Sequence, residues 1–156
     1  FRDIDDKEYL RFQNSLASSE FKITYKSHPN NRINLENSFL KIENRNLIKV
    51  YDQYDIYIVD YISTAFGLVA ATSKPIIYLD LGIRKLSEEA MKDFISRVYY
   101  YKINLSTDYD KQIKKAFELY NNDEKEFTND FTTKYSIRDN HLSEIEQLMT
   151  SLNELL

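Results

Sequence analysis

The sequence predicts an α/β fold, Rossmann-like, with a mostly parallel sheet flanked by helices and a helical C-terminus. Two observations carry that prediction. Strand-like and helix-like stretches alternate along the chain, and the runs at 55–60 and 76–80 are apolar through their middles, as strands covered on both faces are. Parallel strands joined through helices imply right-handed crossovers, with ligands bound at the strands' C-terminal ends.

Taken in order, Tyr9, Leu10, Phe12 and Leu16 recur near helical spacing and predict a helix over 5–18. Residues 20–25 alternate with β-branched and aromatic content, a strand that runs to His28. There Ser27-His28-Pro29-Asn30-Asn31 ends it, because Pro29 lacks a backbone donor and keeps His28 out of helical geometry. A helix over 35–43, an extended piece at 47–50 and a strand over 55–60 follow. Ser63 and Thr64 precede the small-residue run 65–71 as helix-capping residues do, and Lys74-Pro75 stops that helix. Next come a strand at 76–80, a helix at 87–96 with Glu88 and Glu89 in its first turn, and a strand at 98–103. Helices are expected at 108–121, 123–135 and 140–156.

Composition narrows the function classes. The chain has 156 residues, enough to bury a core as one domain, and its 13 Tyr and 9 Phe are too many for a disordered tail. With no cysteine, disulfides and thiolate metal sites are excluded, and a cytoplasmic location fits. A formal charge of −4 argues against nucleic acid as the main partner. The longest apolar stretch, 56–71, is broken by Asp60, Ser63 and Thr64 and cannot span a membrane. The opening residues carry neither an initiator Met nor a signal-peptide pattern, so residues 1–156 are expected to be a single domain from a longer two-domain chain.

The candidate site lies on the rim formed by strand C-terminal ends. Asp60-Tyr61-Ile62-Ser63-Thr64 places backbone amides and two hydroxyls at a helix start, where an anion such as a diphosphate is favoured. The plainer alternative is that Ser63 or Thr64 only caps its own helix. His28 can hold a phosphate and stabilise a leaving group. It can equally be an ordinary loop histidine. Asp80 ends a strand and could approach a ribose or sugar hydroxyl, although Asp is common where strands give way to loops. Tyr99-Tyr100-Tyr101 reads as strand structure, His141 as a surface residue, and the charged run 123–134 as a solvated helix face. No Gly-rich dinucleotide fingerprint, Walker motif or nucleophile elbow is present, and no ligand cluster calls for a metal.

Lys26-Ser-His28-Pro29, then Asp55-Ile-Tyr-Ile-Val-Asp60-Tyr-Ile-Ser63-Thr64, then Lys74-Pro75-Ile-Ile-Tyr resembles, in order and spacing, the C-terminal domain of GT-B transferases. The likeness is to the CDP-glycerol glycerophosphotransferases of teichoic-acid synthesis and to bacterial sialyl- and Kdo-transferases with "HP" and Ser-Ser/Thr motifs, over roughly residues 22–79. It implies that His28, Ser63 and Thr64 contact the donor phosphate; Pro29, Asp60 and Tyr61, beside them in the sequence, are the further candidates for the nucleotide and phosphate site. His28 takes the catalytic role at the donor phosphate. Ile62 stands where a second serine is common.

The resemblance further implies a nucleotide-activated sugar or polyol donor (CMP or CDP favoured), a cell-surface polysaccharide acceptor held by an N-terminal domain, no cofactor and no protein-bound metal. The enzyme would be cytoplasmic, at the inner face of the membrane through the rest of the chain. A nucleotide-sugar epimerase of the same architecture is the alternative enzyme, and a flavodoxin-like interaction domain the non-catalytic one.

Overall fold

The computed structural model describes residues 4–26, 40–122, 125–128 and 130–135. Helix α1 (Asp6–Ala17) starts where Asp5 caps it, the Asp5 carboxylate accepting from the Lys7 amide at 2.7 Å. It turns Phe12 and Leu16 inward, at the spacing the sequence suggested. Strand β1 (Thr24–Tyr25) pairs in parallel with β2 (Lys41–Ile42), and the Glu43 amide extends the ladder to the Tyr25 carbonyl at 2.8 Å.

Two expectations are corrected in this region. Lys41 and Ile42 are strand, not the end of a helix, because their backbone is paired to β1 and pairing outweighs a weak local helical preference. Leu47–Lys49 is a 3-10 turn, not an extended piece. Asn46 caps it by accepting from the Ile48 amide at 3.1 Å, the local bonding that makes Asn favour turns. Residues 35–39 of the helix expected at 35–43 lie outside the described residues.

The second sheet holds β3 (Tyr57–Val59), β4 (Ile76–Asp80) and β5 (Tyr99–Lys102), in that order and all parallel. Helix α2 (Thr64–Ala70) links β3 to β4 and α3 (Glu88–Arg97) links β4 to β5; α4 (Tyr109–Asn122) and α5 (Asp130–Tyr135) follow. Three layers result. On one face, Phe12 and Leu16 of α1 and Ile113, Ala116 and Phe117 of α4 cover Ile77, Leu79 and Tyr99. On the other, Phe66 and Val69 of α2, Phe94 of α3 and Phe131 of α5 cover Tyr57, Ile76 and Tyr78. Small parallel sheets flanked by helices are thus established, an arrangement compatible with a Rossmann-like domain.

Every residue of β4 is buried, which explains its unbroken apolar run. In β5, Tyr99 and Tyr101 join the first face and Tyr100 the second, so the three tyrosines serve the sheet as expected. The solvated helix expected over 123–135 is corrected, since among the described residues of that range Asp130–Tyr135 is helical and 125–128 are not. Phe127 sets its ring edge-on to Tyr99 at 5.3 Å, and Lys125 donates to the Val98 carbonyl at 2.8 Å. The chain crosses here from the α4 layer to the α3 layer, and tertiary contacts override helical preference. The helix expected over 140–156 and His141 lie outside the described residues.

Candidate functional site

The C-terminal ends of β3 and β4 carry Asp60 and Asp80, and the loops that leave them form the rim. Asp60 follows β3 directly. Tyr9 of α1 donates to its Oδ2 at 2.6 Å, and the Tyr25 hydroxyl at the end of β1 lies 3.4 Å from that of Tyr9. Tyr9 has one proton and gives it to Asp60, so Tyr25 is the donor in the longer contact. This chain of hydroxyls brings the ends of β1 and β3 to one rim although they belong to separate hydrogen-bonded sheets. His28 and Pro29, three and four residues beyond Tyr25, lie outside the described residues.

Helix α1 is fixed to the rim a second time. Glu8 accepts from the Tyr109 hydroxyl and, at 3.2 Å, from the amide of Ser106 in the loop after β5, where Ser106 has φ 72°. The Tyr109 bond, ahead of the Ser106 amide, holds the Glu8 carboxyl below its ordinary range.

Ser63 occupies the N-cap position of α2 in extended backbone, its carbonyl accepting from Phe66 and Gly67, yet its hydroxyl makes no capping bond. The capping explanation of this residue therefore does not hold at Ser63. Thr64, first in the helix, is exposed. Tyr61 lies under the Arg84 guanidinium, whose carbon stands 5.3 Å from the ring centre, while Arg84 donates to the Ile62 carbonyl at 2.6 Å. Arg84 thus ties the loop after β4 to the loop after β3. Gly82 makes that loop possible by adopting φ 73°, a conformation costly for residues with a Cβ.

Asp80 is only 8% exposed. One oxygen accepts from Tyr100 and the other, at 2.8 Å, from the Gly82 amide. Asp60 and Asp80 turn to opposite layers, the first to α1 and the second to the Tyr100 side. Among the described residues no three His, Cys, Asp or Glu side chains gather as a metal-holding group. A groove of about 510 Å³ opens beside the start of α1, between Lys7, Arg11 and Leu105, away from Ser63 and Thr64.

Loss of solvation pushes the Asp60 carboxyl above its ordinary 3.8, outweighing the bond from Tyr9. Burial also raises the Tyr9 hydroxyl far above its usual range, with the Asp60 charge adding to it. Glu43 behaves oppositely, held down to about 2 first by the Arg45 side chain and then by the Arg45 amide. The two carboxyls therefore respond to acid with opposite sign. Stability from Glu43 is whole above its ordinary 4.5 and lost as pH falls toward about 2. Stability from Asp60 is whole below 3.8 and lost as pH rises through its lifted value. Glu43→Gln should flatten the fall of the urea midpoint in acid, and Asp60→Asn should leave the midpoint at pH 7 at or above that of the wild type. A lower midpoint for Asp60→Asn would contradict the desolvation argument.

Sequence reasoning passed over Tyr9, Arg84 and Tyr100. Tyr9 sits at an apolar helical position, so periodicity recorded its ring and not its hydroxyl. Arg84 is one cation in a short loop, with no local pattern that announces its contact with Ile62. No protein-family model matches the chain, and neither the curated proteins nor the solved structures contain a match to it. Among the described residues no helix is long and apolar enough to cross a membrane.

Proposed function

We propose that this chain is the nucleotide-donor-binding domain of a GT-B-type transferase, which moves a sugar or polyol phosphate from a cytidine-nucleotide donor to a cell-surface polysaccharide. His28 meets the donor phosphate and stabilises the leaving nucleotide, with Pro29 beside it in the same binding site. Ser63 and Thr64 donate to phosphate oxygens, beside Asp60 and Tyr61. A second, N-terminal domain supplies the acceptor site and the general base, and no metal is required because fixed hydrogen-bond donors meet the phosphate charge.

The observation that supports the reading is the Ser63 hydroxyl, which stands at a strand-end rim without the capping bond that would otherwise account for it. The Tyr25–Tyr9–Asp60 contacts add that β1, which ends three residues before His28 in the sequence, ends near the same rim. The Arg84 guanidinium, exposed beside Ile62, adds positive charge there.

Titration with CMP and CDP, followed by thermal unfolding, tests the proposal. Saturating CDP at about 100 times its dissociation constant should stabilise the chain by about 2.7 kcal/mol. Ser63→Ala should weaken CDP by about tenfold or more, the worth of one hydrogen bond to a charged oxygen. Its stability without nucleotide should change by less than about 0.5 kcal/mol, because no capping bond is lost. Absence of stabilisation by either nucleotide sinks the proposal. Stabilisation by uridine diphosphate sugars alone would favour the epimerase alternative.

A further inference from the structure

The two rim carboxylates are not equally able to meet a ligand. Asp80 is buried, and its oxygens already accept from Tyr100 and from Gly82. Asp60 keeps some exposure as a residue although its carboxyl is desolvated, is met on Oδ2 by Tyr9, and stands three residues before Ser63. A carboxylate beside a phosphate site does not serve the phosphate, since like charges repel. It suits a hydroxyl, which it can accept from when ionised. In a nucleoside diphosphate the hydroxyls nearest the phosphates are those of the ribose.

We infer that Tyr9 is a positioning residue of the proposed donor site, its hydroxyl fixed between Tyr25 and Asp60 so that the Asp60 carboxylate is aimed at a ribose hydroxyl of the nucleotide. The inference rests on the donor-binding reading and moves the ribose contact from Asp80 to Asp60. Tyr9 is suited to the task because α1 is anchored on either side of it. Glu8 holds the loop after β5, and Phe12, fully buried, packs its ring 6.2 Å from that of Tyr9. The Tyr9 hydroxyl therefore sits on a rigid helix. Positioning by a rigid element is what a hydrogen-bonding site requires.

The same bond ties ligand recognition to protonation. Among the described residues, the groups facing Asp60 are Tyr9 from α1, Tyr25 beyond it from β1, and Tyr78 from β4, whose hydroxyl feels both Asp60 and Asp80. Arg84, from the loop after β4, is the cation that counters them at Tyr78. Tyr9, together with the backbone of Asp60 itself, supplies the hydrogen bonding that favours the charged carboxylate. Without the Tyr9 bond the carboxyl holds its proton to higher pH, and the protonated group is a weaker acceptor than the carboxylate.

Tyr9→Phe keeps the ring and its packing on Phe12 while removing the hydroxyl. The test measures CDP and 2′,3′-dideoxy-CDP affinities by calorimetry at pH 7. It also follows the Asp60 carboxyl by carbon-13 NMR, with the resonance assigned through Asp60→Asn. Wild type should prefer CDP over the dideoxy form by about tenfold. In Tyr9→Phe that preference should fall to about twofold, and the Asp60 midpoint should rise. A purely structural role would weaken both ligands equally and leave the midpoint in place, and either of those results overturns the positioning role. Equal CDP binding by both proteins would also overturn it while leaving the donor reading intact. Failure of the wild type to bind CDP removes the donor reading and the positioning role together.

Discussion

Arg97→Met should lower the unfolding free energy by about 3–5 kcal/mol, read as a drop in the urea midpoint, because it leaves the Thr72 and Lys74 carbonyls without this donor and the Ala70 carbonyl with only the Thr132 hydroxyl at 3.4 Å. Arg97 ends α3 and is 1% exposed. Its Nε donates to the Ala70 carbonyl at 2.8 Å, and its Nη2 to the carbonyls of Thr72 and Lys74 at 2.5 and 3.1 Å. These are the carbonyls at and beyond the end of α2, which helix bonding cannot reach. The guanidinium also lies 5.2 Å from the centre of the Phe127 ring. Methionine can refill that volume, so packing is largely restored and the unmet carbonyls dominate. Replacing a buried charge with an apolar group is often harmless when its partners go too, but these partners are backbone and remain. A loss below about 1 kcal/mol would mean that water reaches the α2 terminus. Arg97→Lys should recover only part of the loss, since an ammonium lacks the planar fork that spans separated acceptors.

Phe94→Ala should cost about 3–5 kcal/mol, by lost burial and by the cavity left among aromatic neighbours. The ring is 0% exposed and meets Tyr78 of β4 edge-on at 4.8 Å, with Phe66 of α2 and Phe131 of α5 each at 5.2 Å. One side chain thus joins the sheet to three helices. Helix α5 is short and docks on α3 through Phe131, and the Lys134–Asp93 ion pair beside it is partly exposed and worth little. Hydrogen exchange in α5 should therefore rise more than the global loss accounts for. Ile95→Ala, one position along α3 and 41% exposed, should change stability by less than about 0.5 kcal/mol. Similar costs for the two substitutions would contradict the packing described.

The elements most legible in the sequence were those whose pattern is local. The α1 periodicity, the apolar run of β4 and the alternation of the β5 tyrosines each follow from which face of one element is covered. The errors fell where partners are distant. Lys41 and Ile42 look helical until β1 pairs with them, and residues 125–128 look like a charged helix until Phe127 turns to Tyr99.

The candidate site divides along the same line. Residue order alone marked Asp60, Tyr61, Ser63, Thr64 and Asp80 as strand-end residues, because strand boundaries and helix starts are written locally. That the Ser63 hydroxyl goes unused as a cap, that both Asp80 oxygens are engaged, and that Tyr9 reaches Asp60 across 51 positions depend on how layers meet. Hydrogen bonds between distant residues leave no periodic trace. A tyrosine's ring obeys the helix pattern, whereas its hydroxyl answers to whatever the fold brings within about 3 Å.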